Sequence, residues 1–191
     1  TDLISATPDQ TVVIPQLDWL IAKPVFESSI LPVLTLGKQR WQGPTTSLGN
    51  FSVLQLSFCD ICFAAVHEKG TGETLNDLMG ALYHPESAPW DNEHIEERGK
   101  ELSALPMHTK LGALLNYKGL RNTLPIRYPR TFAGSQEKDD FGIDGLLEGL
   151  AGDKFGRVDQ VGAQALHPAL VHCERILVRE AELKAESKKS A

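Results

Sequence analysis

The sequence predicts a mainly α-helical protein, with an irregular, β-containing part over residues 1–49 and a helical domain over residues 50–191. Three observations favour this. Apolar residues after position 50 recur mostly at helical spacing. The runs before it are short, rich in β-branched residues and broken by proline. The 191 residues, 41% hydrophobic and 23% charged, have the composition of a globular chain of one domain with a small annex.

The N-terminal part is expected to hold short strands and a long loop. Residues 10–14 are a β-branched run that a proline stops, which predicts a strand. Residues 30–36 contain Pro32, so they can form at most an edge strand, because proline cannot donate a hydrogen bond to a neighbour. Residues 38–49 have loop composition and carry Trp41 as an anchoring aromatic.

Residues 50–69 are predicted to form the first helix. Asn50 can cap its N-terminus, His67 and Lys69 fall in its last turn, and Gly70 can adopt the positive φ that ends a helix. One helical stripe is apolar: Phe51, Leu54, Phe58, Ile61, Cys62 and Ala65. The remaining positions are also largely apolar, so we expect burial on most sides. A pair of strands is the alternative, since Val, Phe and Ile are dense here.

Two further helices are predicted before residue 106. Thr74 and Asp77 resemble a capping box, in which each side chain would bind a backbone N–H of the first turn. An apolar stripe follows: Leu75, Leu78, Met79, Leu82 and Tyr83. A charged helix is expected over residues 91–105.

The C-terminal part continues with helices around an extended stretch. Pro106 can open a helix that closes at Gly119, and residues 120–136 are expected to be extended. Residues 140–150 suit a short helix. Two last helices follow, the second beginning near Pro168.

A Cys-x-x-Cys pair, Cys59 and Cys62, lies in the first predicted helix with His67 close behind. A redox pair would place its first thiol at a helix N-terminus, whereas these two are expected mid-helix. A structural zinc site needs four ligands, and His67 would lie about 80° around the helix from Cys59. The sequence therefore favours core cysteines over a metal or redox site, and names these three residues as the metal candidates.

Acidic residues are absent from residues 102–136, although the chain has a net charge of −6. We define the basic strip as the following residues of that segment: Lys110, Tyr117, Lys118, Arg121, Arg127, Tyr128 and Arg130. Arginines bind phosphates in pairs of hydrogen bonds, and aromatic rings stack on unpaired bases. The strip is thus the candidate contact for nucleic acid or another polyanion. The alternative is that it docks on the acidic flanks, residues 86–101 and 137–153, in the same chain or a neighbour.

Two other patterns in the sequence resemble binding sites. Asp140, Asp144 and Glu148 would line one helix face and could hold Mg²⁺ or Ca²⁺, although such a face is more often solvated. The glycines before residue 73 lack the third glycine of a dinucleotide loop and the Gly-Lys-Ser/Thr of a phosphate loop, so they indicate a turn between helices.

Catalytic signatures such as Gly-x-Ser-x-Gly and His-Glu-x-x-His are absent from the sequence. Trp41 and Trp90 are expected in loops as exposed anchors, and interface cores are enriched in such aromatics. We therefore expect a non-enzymatic subunit or adaptor of a larger assembly, without a cofactor. Its partners would be other protein subunits, with nucleic acid as a second class. The alternative is a metal- or thiol-dependent enzyme centred on Cys59, Cys62 and His67.

Charge and hydropathy bear on the location of the chain. A net charge of −6 disfavours a protein that coats nucleic acid or membrane with its whole surface. The sequence shows no signal peptide and no apolar run of the ~18 residues that a membrane span needs, so we expect no membrane association. Three cysteines cannot pair completely, which favours a reducing, cytoplasmic location.

Overall fold

A computed structural model of the chain describes residues 27–132 and 157–189. The predicted strand at residues 10–14 and the predicted helix at residues 140–150 lie outside the described residues, as do the three carboxylates of that helix. The described parts hold six α-helices and one small antiparallel sheet, which confirms the mainly α fold class. The helices are α1 (Val53–Lys69), α2 (Glu73–Leu82), α3 (Ile95–Leu102), α4 (Met107–Arg127), α5 (Val158–Gly162) and α6 (Leu166–Lys189).

The sheet has three strands in the order β1 (Val33–Leu36), β2 (Gln39–Gln42) and β3 (His84–Pro85). The edge strand predicted within residues 30–36 is confirmed as β1. The loop predicted over residues 38–49 is wrong in part, because β2 is the middle strand and pairs on both sides. Trp41 of β2 is almost completely buried, so core packing overrides the loop-like composition around it.

Helix α1 is confirmed as a helix, although its N-terminal cap differs from the prediction. The hydroxyl of Ser52 accepts the backbone N–H of Gln55 at 3.1 Å, so Ser52 is the cap. Asn50 instead binds Gly43 and Thr45 in the preceding turn. The helix ends, as expected, at a glycine with a φ of 89°.

The predicted apolar stripe of α1 is not its buried face. The core contains Val53, Leu56, Cys59 and Val66, whereas Ile61 of the predicted stripe is 55% exposed. Because this helix is apolar on nearly every side, residue spacing alone could not identify the face that packs inward. The outward face therefore remains rich in apolar side chains.

Helices α2 and α3 run antiparallel and approach each other closely through two glycines. A Cβ on Gly80 would lie 2.1 Å from the carbonyl oxygen of Ile95, and one on Gly99 would lie 2.7 Å from that of Asn76. Arg98, buried at this contact, donates from Nε to the oxygen of Gly80 at 2.8 Å. Only glycines allow such close backbone packing, so they position the side chains of α2 and α3 around an open groove between α1, α2 and α3.

The apolar stripe predicted for α2 is confirmed, because all five of its members are fully buried. The predicted capping box is wrong. Gly72 is the cap, and the hydroxyl of Thr74 donates to the oxygen of Gly70 instead. The predicted charged helix is shorter than expected, since α3 begins only at Ile95 and Asp91 accepts a hydrogen bond from the backbone N–H of His94.

Helix α4 begins after Pro106 as predicted but continues to Arg127, so the predicted extended stretch over residues 120–136 is wrong. Residues 128–132 form a turn instead of an extended strand, and residues 133–136 lie outside the described residues. Gly119 lies inside the helix and is buried against the core. Pro125 stands in the last turn, where its missing N–H costs one hydrogen bond, and the bond three residues later, from the N–H of Tyr128 to the oxygen of Leu124, still forms at 2.8 Å. Tertiary packing along this helix thus outweighs the local signals that usually end one.

Helix α6 begins at Leu166, close to the predicted start at Pro168. Its backbone is tied to the start of α1, because the N–H of Leu166 donates to the oxygen of Phe51 at 2.9 Å. Its first turns pack on the core through Leu166, Ala169, Leu170 and Cys173. The helix then continues to Lys189, and this later part bears on function.

Candidate functional sites

The Cys-x-x-Cys pair lies in the middle of α1, away from either helix end. Cys59 is fully buried, Cys62 is half-buried, and His67 is exposed with its ring against that of Phe63 at 4.6 Å between centroids. Burial raises the pKa of the Cys59 thiol well above its ordinary value. Burial, together with the charge of Asp77, raises the pKa of Cys62 to about 11. Both thiols are therefore protonated and poorly nucleophilic at neutral pH.

The His, Cys, Asp and Glu side chains of residues 27–132 and 157–189 are the possible metal ligands in the described part of the chain. No group of three or more is arranged there to hold an ion. The three cysteines are free thiols. The alternative enzyme centred on the cysteine pair thus gains no support from the described part of the chain.

Lys110, the first cation of the basic strip, is buried with only 7% of its surface exposed. Its Nζ donates to the side-chain oxygen of Asn76 at 3.1 Å and to the carbonyl oxygen of Ser103 at 3.2 Å. Ser103 is the residue that ends α3, where unpaired carbonyls favour a positive charge. Lys110 therefore joins α2, α3 and α4 from the inside.

Tyr117 and Arg121 bind a single carboxylate on α1. The Tyr117 hydroxyl donates to Oδ1 of Asp60 at 2.7 Å, and Nη2 of Arg121 lies 3.1 Å from Oδ2. Burial raises the pKa of Tyr117, and the Asp60 charge adds to that increase. Burial alone would lower the pKa of Arg121, but Asp60 outweighs it and raises the pKa. We call these three residues the Asp60 cluster. Arg121 therefore pairs with a carboxylate of α1, which lies outside the two acidic flanks that the sequence offered as its alternative partner.

Tyr128 is buried at the end of α4 and links three elements. Its hydroxyl lies 2.7 Å from Nδ1 of His167 on α6, and Nε2 of His167 lies 2.7 Å from the carbonyl oxygen of Ser47. Since a carbonyl oxygen only accepts, Nε2 donates to it, and in the neutral imidazole Nδ1 then accepts from the tyrosine. This bridge fixes the start of α6 against the turn over Thr46–Leu48.

Arg127 and Arg130 are the cations of the basic strip that the structure leaves exposed, and we call them the exposed arginine pair. The Arg127 guanidinium lies 5.8 Å from the ring centroid of Tyr128. Lys118 is half-buried and has a contact of its own. With Lys110, Tyr117, Arg121 and Tyr128 held internally, the strip does not form a continuous basic surface. Whether it binds a polyanion stays a prediction, now carried chiefly by the exposed arginine pair.

The two tryptophans expected as exposed anchors are placed differently. Trp41 is buried, so that expectation is wrong for it. Trp90 is half-buried, and its Nε1 donates to the carbonyl oxygen of Ala81 at 2.8 Å. The guanidinium of Arg98 lies 5.9 Å from the ring centroid of Trp90. Both rings therefore serve mainly the packing of this domain.

An open groove of about 660 Å³, which the sequence did not reveal, lies between α1, α2 and α3. Apolar atoms of Phe58, Cys62 and Ile95 form part of its lining. Four carboxylates and one ammonium group also line it: Glu73, Asp77, Glu93, Glu96 and Lys100. The acidic segment before α3 was visible in the sequence, but only the close packing of α2 and α3 brings it beside the outward face of α1.

The carboxylates of this groove are crowded. Lys100 pairs with Glu96 at 2.7 Å, one helical turn away. Burial raises the pKa of Asp77, and the negative charges of Glu73 and Glu96 raise it further. A raised carboxyl pKa means that the folded protein disfavours the charge at this position. An approaching cation would relieve that repulsion.

The second half of α6 extends away from the packed core. Glu174 still accepts hydrogen bonds from the backbone of Arg130 and Thr131 at 3.2 and 2.9 Å. Beyond it, the side chains of residues 175–188 are exposed, with Val178 intermediate. At 1.5 Å per residue this exposed part of α6 is about 21 Å long. It carries Ile176 and Leu183, which are 41% and 57% exposed.

Among the described helices, none combines the length and apolar character required to cross a bilayer. Comparison of the chain with family models, with curated proteins and with solved structures finds no match.

Proposed function

We propose that the chain is a non-enzymatic subunit or adaptor of a larger assembly, and that it binds a protein partner through the exposed part of α6, residues 175–188. One observation carries the proposal: Ile176, Leu177 and Leu183 are exposed on a helix whose first turns are firmly packed. An amphipathic helix that projects from a domain is the element that partner proteins bind in an apolar groove.

The arrangement of side chains on this part of α6 suits such binding. Ile176 and Leu183 are seven residues apart, so they lie within about 20° of one line along the helix. Arg179 and Glu180 border that line, about 60° and 40° to its two sides. An apolar line with charged borders resembles the contact face of paired helices, where the apolar residues give affinity and the charges select the partner.

The remaining chemistry supports a role in binding more than in catalysis. The thiols of α1 are protonated, and the histidine near them faces solvent. The exposed arginine pair lies at the C-terminal end of α4, where the helix dipole is negative and works against an approaching anion. A protein partner is therefore favoured over nucleic acid. The free cysteines suit a reducing, cytoplasmic location.

The test compares three baits in an extract of the cells that produce the chain: the wild type, Ile176→Gln/Leu183→Gln and Ala185→Gln. Ala185 is exposed on the opposite side of α6, so its variant is the matched control. The captured protein, whether another chain or a further copy of this one, is then titrated against each bait. Loss of two apolar anchors is expected to weaken binding at least about thirtyfold, with the control within about threefold of the wild type.

Two outcomes would contradict the proposal. One is a wild-type bait that retains no protein beyond the background of the empty matrix. The other is a partner that binds the double variant as tightly as the wild type. Circular dichroism of the three baits must show the same helix content, because a helix that unfolds would lose binding for another reason.

A further inference from the structure

The outward face of α1 is apolar over about two turns beside the groove. Phe58 and Cys62 line the groove, and they lie about 40° apart around the helix. Ile61 is 55% exposed at about 60° on the other side of Phe58, and Ala65 is exposed in part between Phe58 and Ile61. We call these four residues the open face of α1. Partly exposed apolar side chains on one helix face are what a second helix covers when it docks.

The segment that completes the groove carries the negative charge of the whole chain. Residues 73–101 hold eight carboxylates and two cations, so they account for the net charge of −6. Both of these cations already pair with carboxylates of the same segment. In residues 27–132 and 157–189, no cation pairs with Glu73 or Glu93, and both of these carboxylates line the groove. The groove therefore holds negative charge that the described part of the chain does not neutralise.

Two features of the fold reduce this charge without removing it. Lys110 lies beneath the groove, where its Nζ binds two residues of the lining, so four carboxylates still outnumber two cations there. Glu73 and Glu96 stand in the first turns of α2 and α3, where the helix dipoles favour a negative charge. Burial nevertheless raises the pKa of Asp77, and the charges of Glu73 and Glu96 raise it further. A cation that reached Asp77 would stabilise its charged form.

We propose that the groove and the open face of α1 bind a basic amphipathic helix of another protein. The apolar side chains of this helix lie on Phe58, Ile61 and Cys62, and its lysines or arginines lie beside Glu73 and Glu93. The proposed function concerns α6, whereas this surface belongs to α1, α2, α3 and the loop before α3. The inference therefore goes beyond the proposed function and makes the chain an adaptor with two binding surfaces.

Charge and size select this occupant. The carboxylates of the groove repel nucleic acid and anionic lipid, whereas they attract a basic segment. A groove of about 660 Å³ can receive several side chains, and the open face of α1 extends the contact beyond the area that a small molecule covers. The exposed part of α6 from a second copy is a poor match, because its three glutamates nearly balance its four cations.

The test measures the binding of a fluorescent synthetic peptide of about 15 residues to the full chain by fluorescence anisotropy. The peptide has leucines at helical spacing and lysines on both sides of them, so its helix presents one apolar line with basic borders. Two control peptides change one property each: glutamates replace the lysines, or serines replace the leucines. The basic amphipathic peptide is expected to bind at least about tenfold more tightly than either control, and less tightly as the salt concentration rises.

Charge variants of the chain locate the contact. Glu73→Gln/Glu93→Gln removes two charges of the groove and is expected to weaken binding of the basic amphipathic peptide at least about fivefold. The matched control, Glu180→Gln/Glu182→Gln, removes the same charge from α6 and should leave the affinity within about twofold of the wild type. Equal thermal unfolding of these variants shows that the fold is intact.

A second pair of variants tests the apolar part of the contact. Ile61→Gln is expected to weaken binding of the same peptide at least about threefold, because it places a polar group on the open face of α1. The control is His67→Gln, which changes an exposed residue on the side of α1 opposite Phe58 and should leave the affinity unchanged.

The inference is overturned if the chain binds the basic amphipathic peptide no more tightly than the two control peptides. It is also overturned if the groove variant binds as tightly as its α6 control, because the contact then lies elsewhere. Self-association of the chain that the groove variant abolishes would make a second copy the occupant and would overturn the inference as well. None of these results bears on capture of a protein through Ile176 and Leu183, so the proposed function can stand where this inference fails.

Discussion

Removing one hydroxyl from the Asp60 cluster should destabilise the fold measurably. Tyr117 is fully buried, and its hydroxyl donates to Asp60 at 2.7 Å. A hydrogen bond to a charged group contributes about 1.5–3 kcal/mol, so Tyr117→Phe is expected to lower the free energy of unfolding by that amount. Asp60 keeps its ion pair with Arg121 in this variant, which limits the loss to one interaction.

Removing the carboxylate should be more damaging than removing the hydroxyl. Asp60→Ala leaves the Tyr117 hydroxyl buried without its acceptor and Arg121 without its ion pair. The side chains of Arg121 and Asp60 are 28% and 23% exposed, so water compensates only in part. We expect a loss of about 2–4 kcal/mol. In that background Tyr117→Phe should cost little more, so the coupling between the two residues should approach the full cost of the single variant, about 1.5–3 kcal/mol.

Urea unfolding followed by circular dichroism measures these free energies. Arg127→Ala is the control, because an exposed cation of the same helix should change the free energy of unfolding by less than about 0.5 kcal/mol. The reasoning is refuted if Tyr117→Phe is as harmless as this control. It is equally refuted if the effects of Asp60→Ala and Tyr117→Phe simply add, since the two residues would then not act together.

Three further predictions concern other parts of the chain. Gly80→Ala should lower the free energy of unfolding by more than about 2 kcal/mol, because its Cβ would meet a backbone carbonyl of α3 at 2.1 Å. The control is Gly112→Ala within α4, whose Cβ would make only an ordinary contact with Leu31 at 3.5 Å and which should not lower that free energy; similar melting temperatures for the two variants would contradict the close approach. The hydrogen bond and charge of Asp91 raise the pKa of His94, so Asp91→Asn should move that pKa downward in an NMR titration. Because the folded protein raises the pKa of His94, the stabilisation is full below the pKa of the unfolded chain and is lost as pH rises through the pKa of the folded protein. If Asp91→Asn leaves the pKa of His94 unchanged, Asp91 is not the cause of the raised pKa. If the chain binds short RNA, the exposed arginine pair should make the contact, and the affinity should fall about tenfold between 50 and 200 mM salt. The double variant Arg127→Ala/Arg130→Ala should not bind, and binding that survives in it would place the contact elsewhere.

The spacing of apolar residues predicted the buried face of a helix correctly where polar residues occupy the remaining positions. The stripe of α2 was predicted correctly because its polar positions separate the buried residues clearly. The face of α1 could not be predicted, because a helix that is apolar all round has no local signal for its inner side. The course of α4 past Gly119 and Pro125 depended on packing against other elements, which spacing along one segment does not show.

The candidate sites were harder to predict from the sequence than the helices, because they depend on contacts between residues that are far apart in the chain. The basic strip looked continuous because its cations are close in sequence, yet Arg121 is bound by a carboxylate 61 residues away. The acidic groove depends on glycines that bring α2 and α3 together, and no motif marks that contact. The exposed part of α6 could have been suspected earlier, because Ile176 and Leu183 stand at helical spacing in a helix with charges on its other sides.

The most direct test of the proposed function is hydrogen–deuterium exchange along α6 in the free and the assembled protein. The amides of residues 166–174, packed on the core, should be protected in both states. The amides of residues 175–188 should exchange quickly in the free chain and at least about tenfold more slowly in the assembly, because a bound helix opens less often. If residues 175–188 exchange at the same rate in both states, the exposed part of α6 is not the surface that binds the partner.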